Sequence, residues 1–316
     1  MVKEIERIII VTESDDKSSE KVIDWLNHYE TSYLRNNVDS GFQKFSILLS
    51  NEKTSTSFSD TFFWNRRGYL PIIPFELKKS EWINYLSKEQ IPVLFSLEKI
   101  NQENYLGSYK NEACNNKILN LQVATSVGLE IPKTIVTNNK KDLVNFCESN
   151  KRYITKSIFQ SPNLKRKNEY LYGNGTIELN LTKTAEVFSP SLVQEYIEKE
   201  IEIRIFFIED NFFSMAIFSQ GDQKTKIDFR NYNIDNPNRN VPYNLPKQVL
   251  NKLKKFAQLI NCNTGSIDLI LTPAKKYVFL EINPMGQFDW LSQDCNYYIE
   301  KKIAEILLKK NNGKRN

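Results

Sequence analysis

Residues 265–286 read G-S-I-D-L-I-L-T-P-A-K-K-Y-V-F-L-E-I-N-P-M-G, and the rest of the chain is best understood from this segment. Two apolar runs, 267–271 and 277–282, flank the turn signal P-A-K-K, which is the pattern of a β-hairpin. Strand side chains alternate between faces, so Glu281 and Asn283 share one face while Leu280 and Ile282 share the other. Pairing Thr272 with Tyr277 across the loop places Asp268 opposite Glu281. Two carboxylates facing each other repel, and burying them unpaired costs several kcal/mol. A divalent cation removes the conflict, because Asp, Glu and an Asn carbonyl are hard oxygen ligands of the kind Mg²⁺ takes beside phosphates and water. The hairpin therefore reads as a Mg–nucleotide platform. An edge hairpin with its acids turned to solvent is the plainer alternative, and the hairpin alone does not separate the two.

The rest of the chain narrows the classes. Its 316 residues exceed one ordinary core, so two or three domains are expected. At 40% hydrophobic and 12% aromatic it is globular rather than disordered. Forty-three basic against 38 acidic residues leave +5, which suits an anionic ligand but does not by itself imply nucleic acid. No apolar run is long enough to span a membrane, and the N-terminus lacks the form of a signal peptide. Cys114, Cys147, Cys262 and Cys295 lie far apart with no C-x-x-C, so the cysteines indicate neither zinc nor disulfides, and a cytoplasmic location is expected. His28 is the only histidine. Chemistry must then run on carboxylates, Lys, Arg and a metal.

From the N-terminus, apolar runs at 4–11, 45–50, 58–64 and 92–97 alternate with helices at about 19–29 and 76–90, an open α/β pattern. Ser18 or Ser19 is the expected cap of the first helix. Arg66 and Arg67, directly after F-F-W-N, are an anion-binding candidate, with a solvated basic loop as the alternative. Residues 109–127 form the most regular helical stripe, stopped by Gly128. Lys117 lies near that stripe, either snorkelling or meeting a phosphate. A strand at 134–137 leads through an Asn138 cap to a helix at 140–149. Lys156 sits on an apolar strand face and needs an anion nearby. Residues 160–175, irregular and polar with Lys165, Arg166, Lys167, Gly173 and Gly175, read as a mobile lid over phosphates or as an ordinary loop. No Walker A motif occurs. Residues 200–208 alternate cleanly, with Glu202, Arg204 and Phe206 on one face, and 212–219 return as the next strand. Lys226, Asp228 and Arg230 follow, then helices at 245–262 and 297–309.

In order, these are a helix lysine, a strand lysine, a flexible loop, Q-E-Y-I, Glu202, an arginine and an Asp…Glu-x-Asn hairpin. That order resembles the ATP-grasp ligases. N-K-I-L-N-L-Q-V-A-T-S-V-G-L-E-I-P-K-T-I-V-T-N, with F-W-N-R-R-G upstream and F-L-E-I-N-P-M-G-Q-F-D-W downstream, is similar to the graspetide maturases, which macrocyclise ribosomal peptides as the microviridin ligases do. The grasp-with-spasm subgroup fits best. The resemblance implies an α+β ATP-grasp fold whose N-terminal domain is of α/β type. It divides the chain into an N-terminal domain at 1–108, a central subdomain at 109–192 and a C-terminal subdomain at 193–316, with ATP between the last two. It implies that Lys117 and Lys156 contact ATP phosphates or the adenine N7 side. Glu195 and the backbone of Tyr196 and Ile197 would hold the adenine, and Glu202 the ribose. Asp268, Glu281 and Asn283 would bind two Mg²⁺. Arg204 and Arg230 would meet the transferred phosphate or the substrate carboxylate, and Arg66 and Arg67 would face the same cleft. Asp228 or the departing phosphate would take the nucleophile's proton. The partner implied is a ribosomal precursor peptide with a leader and an Asp/Glu- and Thr/Ser-rich core; many relatives are homodimers, and neither nucleic acid nor membrane is involved. A carboxylate–amine ligase of the glutathione-synthetase type, or a nucleotide-binding module without catalysis, are the alternatives.

Overall fold

A computed structural model describes residues 8–74, 76–159, 163–166, 169–172, 175–231 and 233–312. The N-terminal region comprises β1 (Ile8–Thr12), α1 (Lys17–His28), β2 (Leu34–Asn37), a small hairpin of β3 (Ile47–Leu49) and β4 (Thr54–Thr56), β5 (Phe62–Asn65), α2 (Ile83–Ile100) and β6 (Tyr105–Leu106). Its main sheet has the order β2-β1-β5-β6, with every pairing parallel. Every residue of β1 is buried, as expected of a strand covered on both faces. Of the expected strand at 4–11, residues 4–7 lie outside the described set.

Two expectations change here. The cap of α1 is Asp16, whose carboxylate accepts from the Ser19 amide, and Ser18 and Ser19 lie inside the helix. The run 92–97 belongs to α2, with Pro92 within the helix. A proline inside a helix costs about 3 kcal/mol. Burial of Leu94 and Leu97 on the face that also carries Gln90 offsets it, at about 1.5–3 kcal/mol for each leucine.

The expected long helix at 109–127 is two helices, α3 (Tyr109–Ala113) and α4 (Lys117–Ser126). Asn116 breaks it, because its side-chain oxygen accepts from the amides of Ile118 and Leu119 and starts a new helix. Gly128, with φ +78°, closes α4 as expected. Beyond it come β7 (Thr134–Asn139), α5 (Lys140–Phe146), β8 (Tyr153–Lys156), β9 (Asn163–Arg166), β10 (Glu169–Tyr172), β11 (Thr176–Glu178) and β12 (Val187–Glu195). Asn139, not Asn138, caps α5. The central sheet has the antiparallel order β11-β8-β12-β7. The stretch expected to be irregular contains an antiparallel β9–β10 hairpin. Lys167 and Gly173 lie outside the described residues.

The C-terminal sheet, β15-β14-β13-β16-β17, is antiparallel throughout. It is built from β13 (Ile201–Ile208), β14 (Asn211–Phe218), β15 (Arg239–Pro242), β16 (Thr264–Leu271) and β17 (Tyr277–Asn283), with α6 (Lys247–Leu259), α7 (Asp289–Cys295) and α8 (Ile299–Asn312). One face, with Ile203, Ile205, Ile267, Leu269 and Phe279, packs with residues of α4 and α6. On the other face Phe206, Met215 and Ile217 share a core with α7, α8 and Ile8, Ile10 and Trp64 of the N-terminal sheet. The remainder of that second face, with Glu202, Asp268, Ile270 and Glu281, lines a cleft whose other side is Ile154, Lys156 and Gln194 of the central sheet.

Candidate active site

The floor is a row across three strands. Arg204 on β13 is in register with Asp268 on β16, and Asp268 is in register with Glu281 on β17. The facing acids are therefore found where the alternation places them, but the turn is one residue out of the expected register. Leu271, not Thr272, lies opposite Tyr277, and a bulge between Phe279 and Glu281 takes up the difference. Leu280 is the extra residue. It lines the cleft beside Glu281 instead of pointing away with Ile282, as strict alternation would have it.

Cations crowd the acids. Arg204 Nη1 donates to both Asp268 oxygens at 2.9 Å. Glu281 faces Lys117 Nζ at 3.2 Å, Arg230 Nη1 at 3.4 Å and Lys156 Nζ at 3.7 Å. Burial alone would raise the Glu281 carboxyl; Lys156, Lys117 and Arg230 outweigh it and hold the group well below the usual carboxylate range. Burial draws Lys156 down, against the pull of Glu281. Lys117 is the first residue of α4 and also donates to the Ser157 carbonyl at 2.9 Å. A continuous helix would have put it in mid-helix; the break at Asn116 delivers it to the cleft. Asp228 receives the Arg230 Nε and Nη2 donors, each at 2.8 Å. Burial pushes the Asp228 carboxyl up, and Arg230 more than reverses it. Asp228 is thus an orienting partner of Arg230, which leaves it poorly suited to the proton-accepting role considered from sequence.

The cleft has two ends. The inner slot, about 50 Å³, is lined by Gln194, Glu195, Tyr196, Ile197, Lys199 and Glu202 against Ile154, Ile270 and Leu280. Glu202 is buried, 2.8 Å from Lys199 Nζ, and accepts from Ser219 Oγ at 2.7 Å. Glu195 stands at the rim, 3.2 Å from Lys151. Sequence reasoning missed Lys199 and Gln194. Gln194 is wholly buried; its Nε2 donates to Thr134 Oγ1 at 3.0 Å, and its Oε1 has no partner. The only sequence signal was an amide just before Glu195 on a strand whose neighbours are apolar.

The outer basin, about 920 Å³, contains Arg67, Glu112, Lys117, Phe159, Arg204, Arg230, Asn283 and Trp290 along its wall. The two adjacent arginines separate here. Arg67 reaches the basin, whereas Arg66 is buried beneath it, 3.4 Å from Asp16. Buried Arg66 makes no contact with the open cleft, contrary to the sequence expectation.

The donor set fits a hard cation. Asp268 and Glu281 face each other, Glu281 Oε2 is buried and held only by the ion pairs to Lys117 and Lys156, and Asn283 adds an amide oxygen on the basin wall. Among the described residues no group of three or more His, Cys, Asp or Glu side chains gathers as a metal cage. Two carboxylates and an amide suit an ion such as Mg²⁺ that is otherwise held by water and phosphate oxygens.

The RimK-like ATP-grasp domain family matches residues 114–307, and the chain belongs to that family. Its fold is the ATP-grasp fold. The RiPP-associated ATP-grasp ligase of Chryseobacterium gregarium, solved with ADP and a leader and core peptide, is similar over 97% of both chains at 24% identity and a TM-score of 0.81. The macrocyclase MdnC from Microcystis aeruginosa MRC, bound with precursor peptide MdnA, is similar over 96% of this chain and 99% of that one, at 27% identity and a TM-score of 0.71. The ATP-grasp ligase PsnB, complexed with minimal precursor, Mg and ADP, is similar over 98% and 99% at 15% identity and 0.72. Among curated proteins none matches. No helix among the described residues is long and apolar enough to cross a membrane.

Proposed function

We propose that this chain is an ATP-dependent peptide macrocyclase of the graspetide, grasp-with-spasm kind, working in the cytoplasm on a ribosomal precursor peptide. The observation that carries the reading is the Arg204–Asp268–Glu281 row, with Lys117, Lys156 and Arg230 converging on Glu281 between a tight slot and a wide basin. ATP lies with its base in the slot, between the domain at 109–192 and that at 193–316, and its phosphates toward the row. Glu202 takes the ribose hydroxyls. Glu195, the backbone of Tyr196 and Ile197, and Gln194 meet the adenine. Lys117 and Lys156 bind phosphates, and Asp268, Glu281 and Asn283 hold Mg²⁺. When bound there, Mg²⁺ would supply charge neutralisation on the phosphates.

The chemistry follows from the residue types. A carboxylate is a poor electrophile. Arg204 and Arg230 hold an Asp or Glu carboxylate of the peptide beside the terminal phosphate, the forked guanidinium matching the carboxylate. The carboxylate oxygen attacks phosphorus, ADP leaves, and an acyl phosphate forms. A Thr or Ser hydroxyl, or a Lys amine, of the same peptide then attacks the acyl carbon, and phosphate leaves. The departing phosphate is the proton acceptor. The product is an ω-ester or ω-amide, and the peptide has lost one water per link. Arg67, on the basin wall, contacts the peptide.

Incubating the chain with Mg-ATP and an Asp/Glu- and Thr/Ser-rich precursor tests this. The expected outcome is ADP release with loss of one water mass per link. A gain of a free amino acid's mass would support the simpler carboxylate–amine ligase, and no peptide-dependent ADP release would support a non-catalytic module.

A further inference from the structure

Asn283 is held from the opposite end of the chain. Two residues after it, Met285 donates its N–H to Asn283 Oδ1 at 3.1 Å, and its carbonyl accepts from Arg66 Nη1 at 3.2 Å. Arg66 follows β5, and its side chain is 3% exposed. It rests between the Asp16 carboxylate, at 3.4 Å, and the Phe288 ring, at 5.5 Å. Asp16 is fixed in turn by Thr12 Oγ1 at 3.0 Å and the Ser19 amide at 3.2 Å. The loop has no slack behind it, since a Cβ on Gly286 would come within 2.1 Å of Ser266 Oγ. A buried guanidinium with no hydrogen bond at Nε or Nη2, and only the longer ion pair from Nε to Asp16, is costly to keep. It needs a reason beyond filling space.

We propose that Arg66 is a positioning residue for the divalent-cation site. By clamping the Met285 carbonyl it fixes the Met285 N–H on one lone pair of Asn283 Oδ1 and leaves the second for the ion. An amide oxygen has two such lone pairs. The inference rests on the metal reading above and adds that the N-terminal sheet helps to build the site, although none of its side chains ligates the ion.

The test is calorimetric binding of a non-hydrolysable ATP analogue across a Mg²⁺ series, with thermal melting to check folding. Arg66→Met is expected to raise the Mg²⁺ concentration for half-saturation by about ten- to a hundredfold, the usual effect of losing a supporting partner. Analogue binding without Mg²⁺ stays as in the wild type. Asn283→Ala gives a shift of the same kind, and the double variant shifts no further than Asn283→Ala alone, as coupled residues should. Arg66→Lys, which keeps the charge and one donor, falls between and serves if Arg66→Met does not fold. Wild-type Mg²⁺ dependence in both Arg66 variants, or additivity in the double variant, overturns the proposal. A wild-type chain whose analogue binding ignores Mg²⁺ overturns the metal reading itself, whatever the variants do.

Discussion

The slot and the basin share the Arg230–Glu281 wall and differ in nearly everything else. The slot has about 50 Å³, less than the space of two waters at about 30 Å³ each. Its polar groups are buried and mostly committed: Glu202 to Lys199 and Ser219, Gln194 to Thr134. The basin has about 920 Å³ and mixes Arg67, Glu112 and Asn283 with Phe159 and Trp290. A narrow end with fixed donors and acceptors selects one rigid ligand; a wide, wet end tolerates a variable peptide. On the proposed reading the slot widens to take a nucleotide. The Lys156–Glu281 and Lys117–Glu281 pairs join the two sides of the cleft, and on the proposed reading the phosphates replace them.

Three experiments probe that contrast. The largest effect is expected where the two ends meet. Asp268→Ala should reduce peptide-dependent ATP turnover by more than the roughly 100-fold that marks a supporting residue, with the melting transition intact. Near-normal turnover in a steady-state ADP assay would remove the row from the chemistry. A smaller effect is expected in the slot. Gln194→Leu should raise the KM for ATP about tenfold, the scale of one buried hydrogen bond, and weaken the preference for ATP over inosine triphosphate, while the KM for the peptide stays unchanged. A raised peptide KM instead would mean that slot and basin are not separate.

The smallest effect concerns stability and acid. The Glu281 carboxyl lies below the usual range because three cations outweigh its burial. Such a group stabilises the fold above its unfolded pKa, about 4.3, and the contribution is lost as pH falls through the lower folded value. Urea unfolding of wild type and Glu281→Gln should therefore differ most at neutral pH and converge in acid. A gap independent of pH would show that the carboxylate is not the source.

Much of the site was legible because β-strand alternation is a strict local rule. Arg204 with Glu202, and Asp268 against Glu281, follow from counting residues. The count at the turn was off by one, and the bulge at Leu280 restored the pairing; a bulge is a local response to twist and packing that sequence does not mark. Lys117 was visible as an oddly placed lysine, and only the Asn116 cap explained it. Gln194 escaped because a buried amide looks like any strand polar residue until its unpaired oxygen is seen.

Composition and strand pattern already limit the chemistry available: one histidine, scattered cysteines, and carboxylates, lysines and arginines on strands that alternate cleanly. Those facts confine the chain to charge-based work on an anionic ligand. Which of those charges meet is set by long-range packing. Adjacent Arg66 and Arg67 have the same side chain, yet one is sealed against Asp16 and Met285 and the other lines the basin. Burial depends on what distant segments pack against each position, Asp16 from 50 residues before Arg66 and Met285 from 219 after it, and no local pattern records that.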